Sequence, residues 1–162
     1  MATRLLLLLT LLLSACGFHL RGQQGMPFAS LYIDSANPGT PFITELRRDL
    51  ESSRVKLAGT AGEAEVVLNI VSESPEKQIL TLGGSGRVNE FQLRYRVSLR
   101  AYDNQQRDWI AAEEMSLRRD YVYDDTKILA KEAEETMLYQ SMRTDMVQQI
   151  IRRLSHAKPQ AQ

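Results

Sequence analysis

The chain has 162 residues, with 20 lysines and arginines against 20 aspartates and glutamates, two histidines and one cysteine, for a net charge of zero at pH 7. That balance lacks the basic footprint of a general nucleic-acid binder, and a single thiol excludes a disulfide framework. The length suits about one domain, large enough to hold a core without covalent staples, and no repeat of solenoid period is present.

The amino terminus differs in kind from the rest. One basic side chain, Arg4, precedes residues 5–13, which are apolar except for Thr10, and the small residues Ser14 and Ala15 follow. A positive start, an apolar run and a small-residue processing site make a secretory signal over residues 1–15. The run stops far short of the roughly 20 apolar residues that a spanning helix needs. Leu13-Ser14-Ala15-Cys16 resembles the lipobox of bacterial lipoproteins. That resemblance implies cleavage before Cys16, an S-diacylglycerol group on its thiol and an N-palmitoyl group on the new amine. One acyl chain gives only reversible membrane binding, and several on one residue give lasting retention. A metal role for Cys16 with His19 fails, because His156 is the only further histidine and no second cysteine exists to close a tetrahedral site. Gly17 stands where an aspartate would retain such a lipoprotein in the inner membrane, so the resemblance implies sorting to the outer membrane. The processed chain keeps 19 basic and 20 acidic side chains, a net charge of −1.

Residues 16–28 then read as a lipidated terminus and tether, ending at Met26-Pro27. Leu31, Tyr32 and Ile33 predict a short strand. Thr40-Pro41 is a helix start, a hydroxyl cap followed by proline at the first helical position. Phe42, Ile43, Leu46 and Leu50 line one face of a helix running from 41 to about 54, and residues 58–62 break it. Val66, Leu68 and Ile70 alternate with Glu65, Val67 and Asn69 in a strand that ends near Ser74 or continues past Pro75 to Leu82. Strand, helix and strand this close predict a parallel βαβ unit. Gly83-Gly84-Ser85-Gly86 is a turn. From 87 to 102 the period of two is strict: Phe91, Leu93, Tyr95, Val97, Leu99 and Ala101 point one way, and Glu90, Gln92, Arg94, Arg96, Ser98 and Arg100 the other. Such a strand belongs to a sheet covered on one face only. A polar turn over 103–108 leads to a strand over 109–123, whose apolar side Glu113 interrupts. Asp124-Asp125 caps the last helix, which is ambiguous over 126–131 because Glu132 and Glu135 fall on its apolar stripe, and clear from about Ala133. A flexible tail is expected over 156–162. The predicted fold is α+β, a two-layer sandwich in the order β-α-β-β-β-α, with a four-stranded mixed sheet and two helices on one face of a single domain, residues 29–155.

Little in the chain carries chemistry. There is no phosphate-binding glycine loop, no G-x-S-x-G elbow and no metal-spaced cluster. Ser85 connects two strands rather than a strand and a helix, and Glu113-Glu114 and Glu134-Glu135 read as solvated surface. No enzyme, cofactor or metal is expected. Cys16-Gly17-Phe18-His19-Leu20-Arg21-Gly22 resembles the start of the mature LPS-assembly lipoproteins of the LptE family. Glu90-Phe91-Gln92-Leu93, the Arg119-Asp120-Tyr121 and Tyr123-Asp124 pieces and Leu129-Ala130-Lys131-Glu132 match it further on, in the same order. The resemblance implies an outer-membrane lipoprotein on the periplasmic side, in a one-to-one complex with the β-barrel LptD. There it would act as plug and assembly partner, and pass lipopolysaccharide to the cell surface. It also implies lipopolysaccharide contacts from basic residues near the hairpin turn and before the last helix, for which Arg87 and Lys131 are the nearest matches. By residue type alone both are solvated surface cations. Arg94, Arg96 and Arg100 belong to an exposed polar face, or to contact with a polar barrel wall. The competing expectation is a stand-alone lipoprotein with an apolar pocket between helices and sheet for a small apolar ligand, or one that binds a cell-wall polymer.

Overall fold

A computed structural model describes residues 25–84 and 86–160; the signal, Cys16 and Ser85 lie outside the described residues. Strand β1 (Ser30–Ser35) leads into helix α1 (Pro41–Ser52). Thr40 caps α1: its hydroxyl oxygen accepts the Ile43 N–H at 3.2 Å, and Pro41 opens the first turn. The expected stripe is buried, with Phe42, Ile43, Leu46 and Leu50 at 1% exposure or less.

The sheet has five strands rather than four. The addition is β2 (Lys56–Leu57), which pairs parallel with β1 through Ser30 and Leu31. Two residues carry no readable periodicity. What makes the strand is the chain reversal before it, where α1 ends at Ser52 and Arg54 turns the backbone at φ 63°. The Lys56 N–H then donates to the Ala29 carbonyl at 3.1 Å and the Ala58 N–H to Leu31 at 2.9 Å.

Strand β3 (Val66–Leu82) pairs parallel with β1 over residues 66–70 and antiparallel with β4 (Val88–Asp103), and β5 (Asp108–Val122) closes the order β2-β1-β3-β4-β5. β3 passes through Pro75 without a break. β1 has stopped pairing by then, so the proline sits on a strand with one free edge, where a missing N–H is tolerated. Beyond Ile70 the sheet is three strands wide and runs on alone to the turn at Gly83–Arg87. There the Gly83 N–H meets the Arg87 carbonyl at 2.7 Å, and Gly86 takes a φ of 75° that suits glycine. At about 3.4 Å per residue, the 16 residues of β4 span about 50 Å from this tip to the opposite turn.

Helix α2 (Ile128–His156) follows a 3₁₀ turn at Asp125–Lys127, whose first N–H groups Asp124 caps through Thr126 at 3.0 Å. It starts five residues before the point where the sequence becomes clear. Glu135 faces the sheet and takes hydrogen bonds from Lys77 and Tyr121, so a charge sits on the inner side without being orphaned. Glu113 has the same explanation, since Arg153 of α2 ion-pairs with it. Both helices cover one sheet face in a single core, where Leu93, Val97 and Leu99 meet Leu46, Met146 and Ile150. Helix joins helix through Glu45, which accepts from Arg143 at 3.0 Å and Thr144 at 2.6 Å. The tail is tied down as far as the described residues go: Ala157 is buried, and the Gln160 N–H donates to the Asp108 carbonyl at 2.8 Å.

The turn opposite the tip is built on Asp103, 5% exposed. Burial alone would raise its pKa. The N–H groups of Arg107 and Gln105 at 3.0 and 2.9 Å and the Arg107 guanidinium at 2.8 Å outweigh burial and hold the carboxyl below its usual range. A depressed carboxyl stabilises the fold above its unfolded pKa of about 3.9, and that contribution is lost as pH falls from there through its lower folded-state pKa. Asp103→Asn should therefore lower Tm at neutral pH and flatten the loss of stability below about pH 4. Calorimetry across the acid limb checks this, and an unchanged limb would count against Asp103 as its source.

Candidate functional site

The structure brings the two cations named from the resemblance to the same end of the molecule. Arg87 closes the β3–β4 turn, and its guanidinium lies 3.3 Å from Asp125 in the 3₁₀ turn before α2. Lys131 sits in the first turn of α2 and donates to Glu134 at 2.7 Å. Their surroundings differ sharply. The Arg87 side chain is 74% exposed and that of Lys131 only 18%, so Lys131 is a half-buried, already paired ammonium rather than a free surface charge.

An aromatic floor supports this end. Phe91 stacks on Tyr121 with centroids 5.8 Å apart and meets Tyr123 edge-on at 5.1 Å. The Lys77 ammonium lies 4.2 Å over the Phe91 ring and bonds Glu135 of α2, which also accepts from the Tyr121 hydroxyl at 2.7 Å. Burial would lower the Lys77 pKa, but the hydrogen bonds to Glu135 and Tyr121 outweigh it and hold it above the ordinary value. Burial, reinforced by Glu135, pushes Tyr121 up. The Tyr139 hydroxyl adds a bond to the Glu76 carbonyl at 2.8 Å. These contacts fix the start of α2 against the hairpin, and with it the position of Lys131.

Around the cations stands apolar surface. Leu82 at the end of β3, Val122 at the end of β5 and Ile128 and Leu129 at the start of α2 are exposed, Leu129 by 81%. Sequence periodicity did not single out these residues. The run Ile79-Leu80-Thr81-Leu82 lies where alternation leaves the end of the strand open between Ser74 and Leu82. A surface that combines cations with exposed aliphatic side chains can meet a ligand carrying both anionic groups and hydrocarbon.

A profile of the LptE family, described as lipopolysaccharide-assembly, matches residues 28–154. The chain belongs to the LptE family. The LPS-assembly lipoprotein LptE of Pectobacterium atrosepticum is 29% identical over 155 residues, covering 94% of this chain and 83% of its own length. In structure, the lipoprotein B of Nitrosomonas europaea, solved by NMR and titled uncharacterized, superposes with a TM-score of 0.74 at 40% identity, over 86% of this chain and 90% of that one. The rare lipoprotein B of Shewanella oneidensis gives 0.68 at 26% identity, over 76% and 91%. The α+β fold with an open sheet and two helices is thus that of LptE-like lipoproteins. Among the described residues, no helix is long and apolar enough to cross a membrane.

Proposed function

We propose that the protein is a non-catalytic outer-membrane lipoprotein, processed before Cys16 and lipidated there. It faces the periplasm in a one-to-one complex with the β-barrel LptD, serves as its plug and assembly partner, and contacts lipopolysaccharide with the hairpin tip. The observation that carries this reading is the gathering of Arg87, Lys131 and the exposed Leu82, Val122 and Leu129 at one end. Lipid A offers phosphates to such cations and acyl chains to such aliphatic groups.

The length of the domain supports the plug. Phe28, near the first described residues, packs on Trp109 beside the β4–β5 turn with ring centroids 5.6 Å apart. The described chain therefore begins at the pole opposite the tip. The about 50 Å between the poles compares with about 40–45 Å for a bilayer with its headgroups. Inside an aqueous lumen, such a rod held at the periplasmic side reaches the outer leaflet. The stand-alone ligand binder finds less support, because Phe42, Leu46, Leu93, Met146 and Ile150 fill the space between helices and sheet.

Affinity capture of the tagged full chain from outer membranes in mild detergent tests the proposal. A large barrel recovered in equal amount is the expected result, and a monomer without one would overturn it.

A further inference from the structure

Along β4 the outward sheet face alternates polar side chains, and most of its charged and amide groups are engaged by neighbours on the adjacent strands. Gln92 joins Gln78 and Asp120 at 2.8 and 2.9 Å. Arg96 pairs with Glu76 and, at 3.6 Å, with Glu114, and Arg100 bonds Asp108 at 2.6 Å. Arg94 breaks the series. Its partner across β3 is Glu76, whose Oε1 accepts from Arg96 and Ser74. Its partner across β5 is a second arginine, Arg118. Among the described residues neither guanidinium has a hydrogen bond or an ion pair, and the Arg94 Nε, like that of Arg96, is buried without an acceptor. Like charges directly opposite each other in a sheet are destabilising. Two arginines at facing positions therefore cost the free domain stability and offer unengaged donors to anything that docks on this face.

We infer that Arg94 and Arg118 form a docking point for carboxylates of a protein surface that covers the open face of the sheet. This deepens the plug reading and rests on it: the surface is the wall of the enclosing barrel. Guanidinium forks match carboxylates bidentately, and an acidic wall complements two arginines that make no ion pair among the described residues of the domain. A lipid fits less well. The neighbours on the face, Gln92, Arg96, Ser116 and Asp120, are all polar and give acyl chains nothing to rest on, unlike the tip.

The full chain, wild type and Arg118→Glu, is co-expressed with its barrel and captured in mild detergent. Thermal melting and lipopolysaccharide binding are measured on the free chains. The glutamate relieves the repulsion and pairs with Arg94, so the free variant should melt higher. Its barrel recovery should fall by about tenfold or more, the scale of one buried charge contact, while lipopolysaccharide binding stays unchanged. Arg118→Lys, which keeps the charge, should recover barrel to within severalfold of wild type. Full recovery with Arg118→Glu overturns the inference while leaving the plug intact, and so does a melting temperature that fails to rise. Loss of lipopolysaccharide binding with barrel retained would assign the pair to a lipid phosphate instead. A wild-type chain that captures no barrel sinks this inference and the plug together.

Discussion

Leu99→Ala is expected to cost the folded domain about 2–5 kcal/mol, and Leu129→Ala, the same chemical change, almost nothing. Leu99 is 1% exposed on β4, opposite Ile70 on one side and Glu113 on the other. Its side chain helps fill the single core that the sheet shares with both helices, so truncation loses transfer energy and leaves a cavity. A domain of this kind is stable by only about 5–15 kcal/mol, and such a loss removes a large share of it. Leu129 is 81% exposed and gives up little apolar contact on truncation. Urea titrations should show a much lower midpoint for Leu99→Ala at an unchanged slope, and a midpoint close to wild type for Leu129→Ala. Equal shifts would mean that the tip is part of the core after all. The contrast separates residues that build the domain from residues that are exposed at some cost in solubility, which is the mark of a contact surface.

What sequence could reveal of the fold followed the strength of its periodic signals. β4 alternates over its whole length because one face is buried and the other wet, and α1 announces itself through Thr40-Pro41 and its apolar stripe. β2 was invisible because two residues have no period, and its existence depends on the backbone reversal at Arg54. The start of α2 was obscured by Glu135, whose charge looks wrong on an inner face until Lys77 and Tyr121 arrive from strands far away in sequence. The site divides in the same way. Arg87 and Lys131 were named from family resemblance, and the structure sets them at one end. The exposed aliphatic rim could not be told from core runs. Alternation placed Arg94 on the outer face, but its position opposite Arg118 depends on register, which one strand alone does not encode.

The state of Lys131 in the fold leads to the second large expected effect. Its ammonium is mostly covered and already bonded to Glu134, one turn along the helix. An incoming phosphate would therefore compete with a carboxylate for the cation. Lys131→Asp removes the cation and places a like charge beside Glu134. A charge-assisted hydrogen bond contributes about 1.5–3 kcal/mol, so lipopolysaccharide binding should weaken by about 10- to 100-fold. Glu134→Gln acts in the opposite direction. It frees the ammonium while keeping the size and shape of its neighbour, and binding should tighten severalfold. Arg87→Asp should do less than Lys131→Asp, because its guanidinium is 74% exposed and salt screens such contacts. Titration of labelled lipopolysaccharide into the purified protein at low and high salt separates these cases. If Glu134→Gln binds no tighter and Lys131→Asp no weaker, Lys131 serves only its own helix turn. A gain from Glu134→Gln would instead show an internal carboxylate occupying the place that the phosphate takes, so that lipid is exchanged for a competing charge and release is eased by the same group that delays capture.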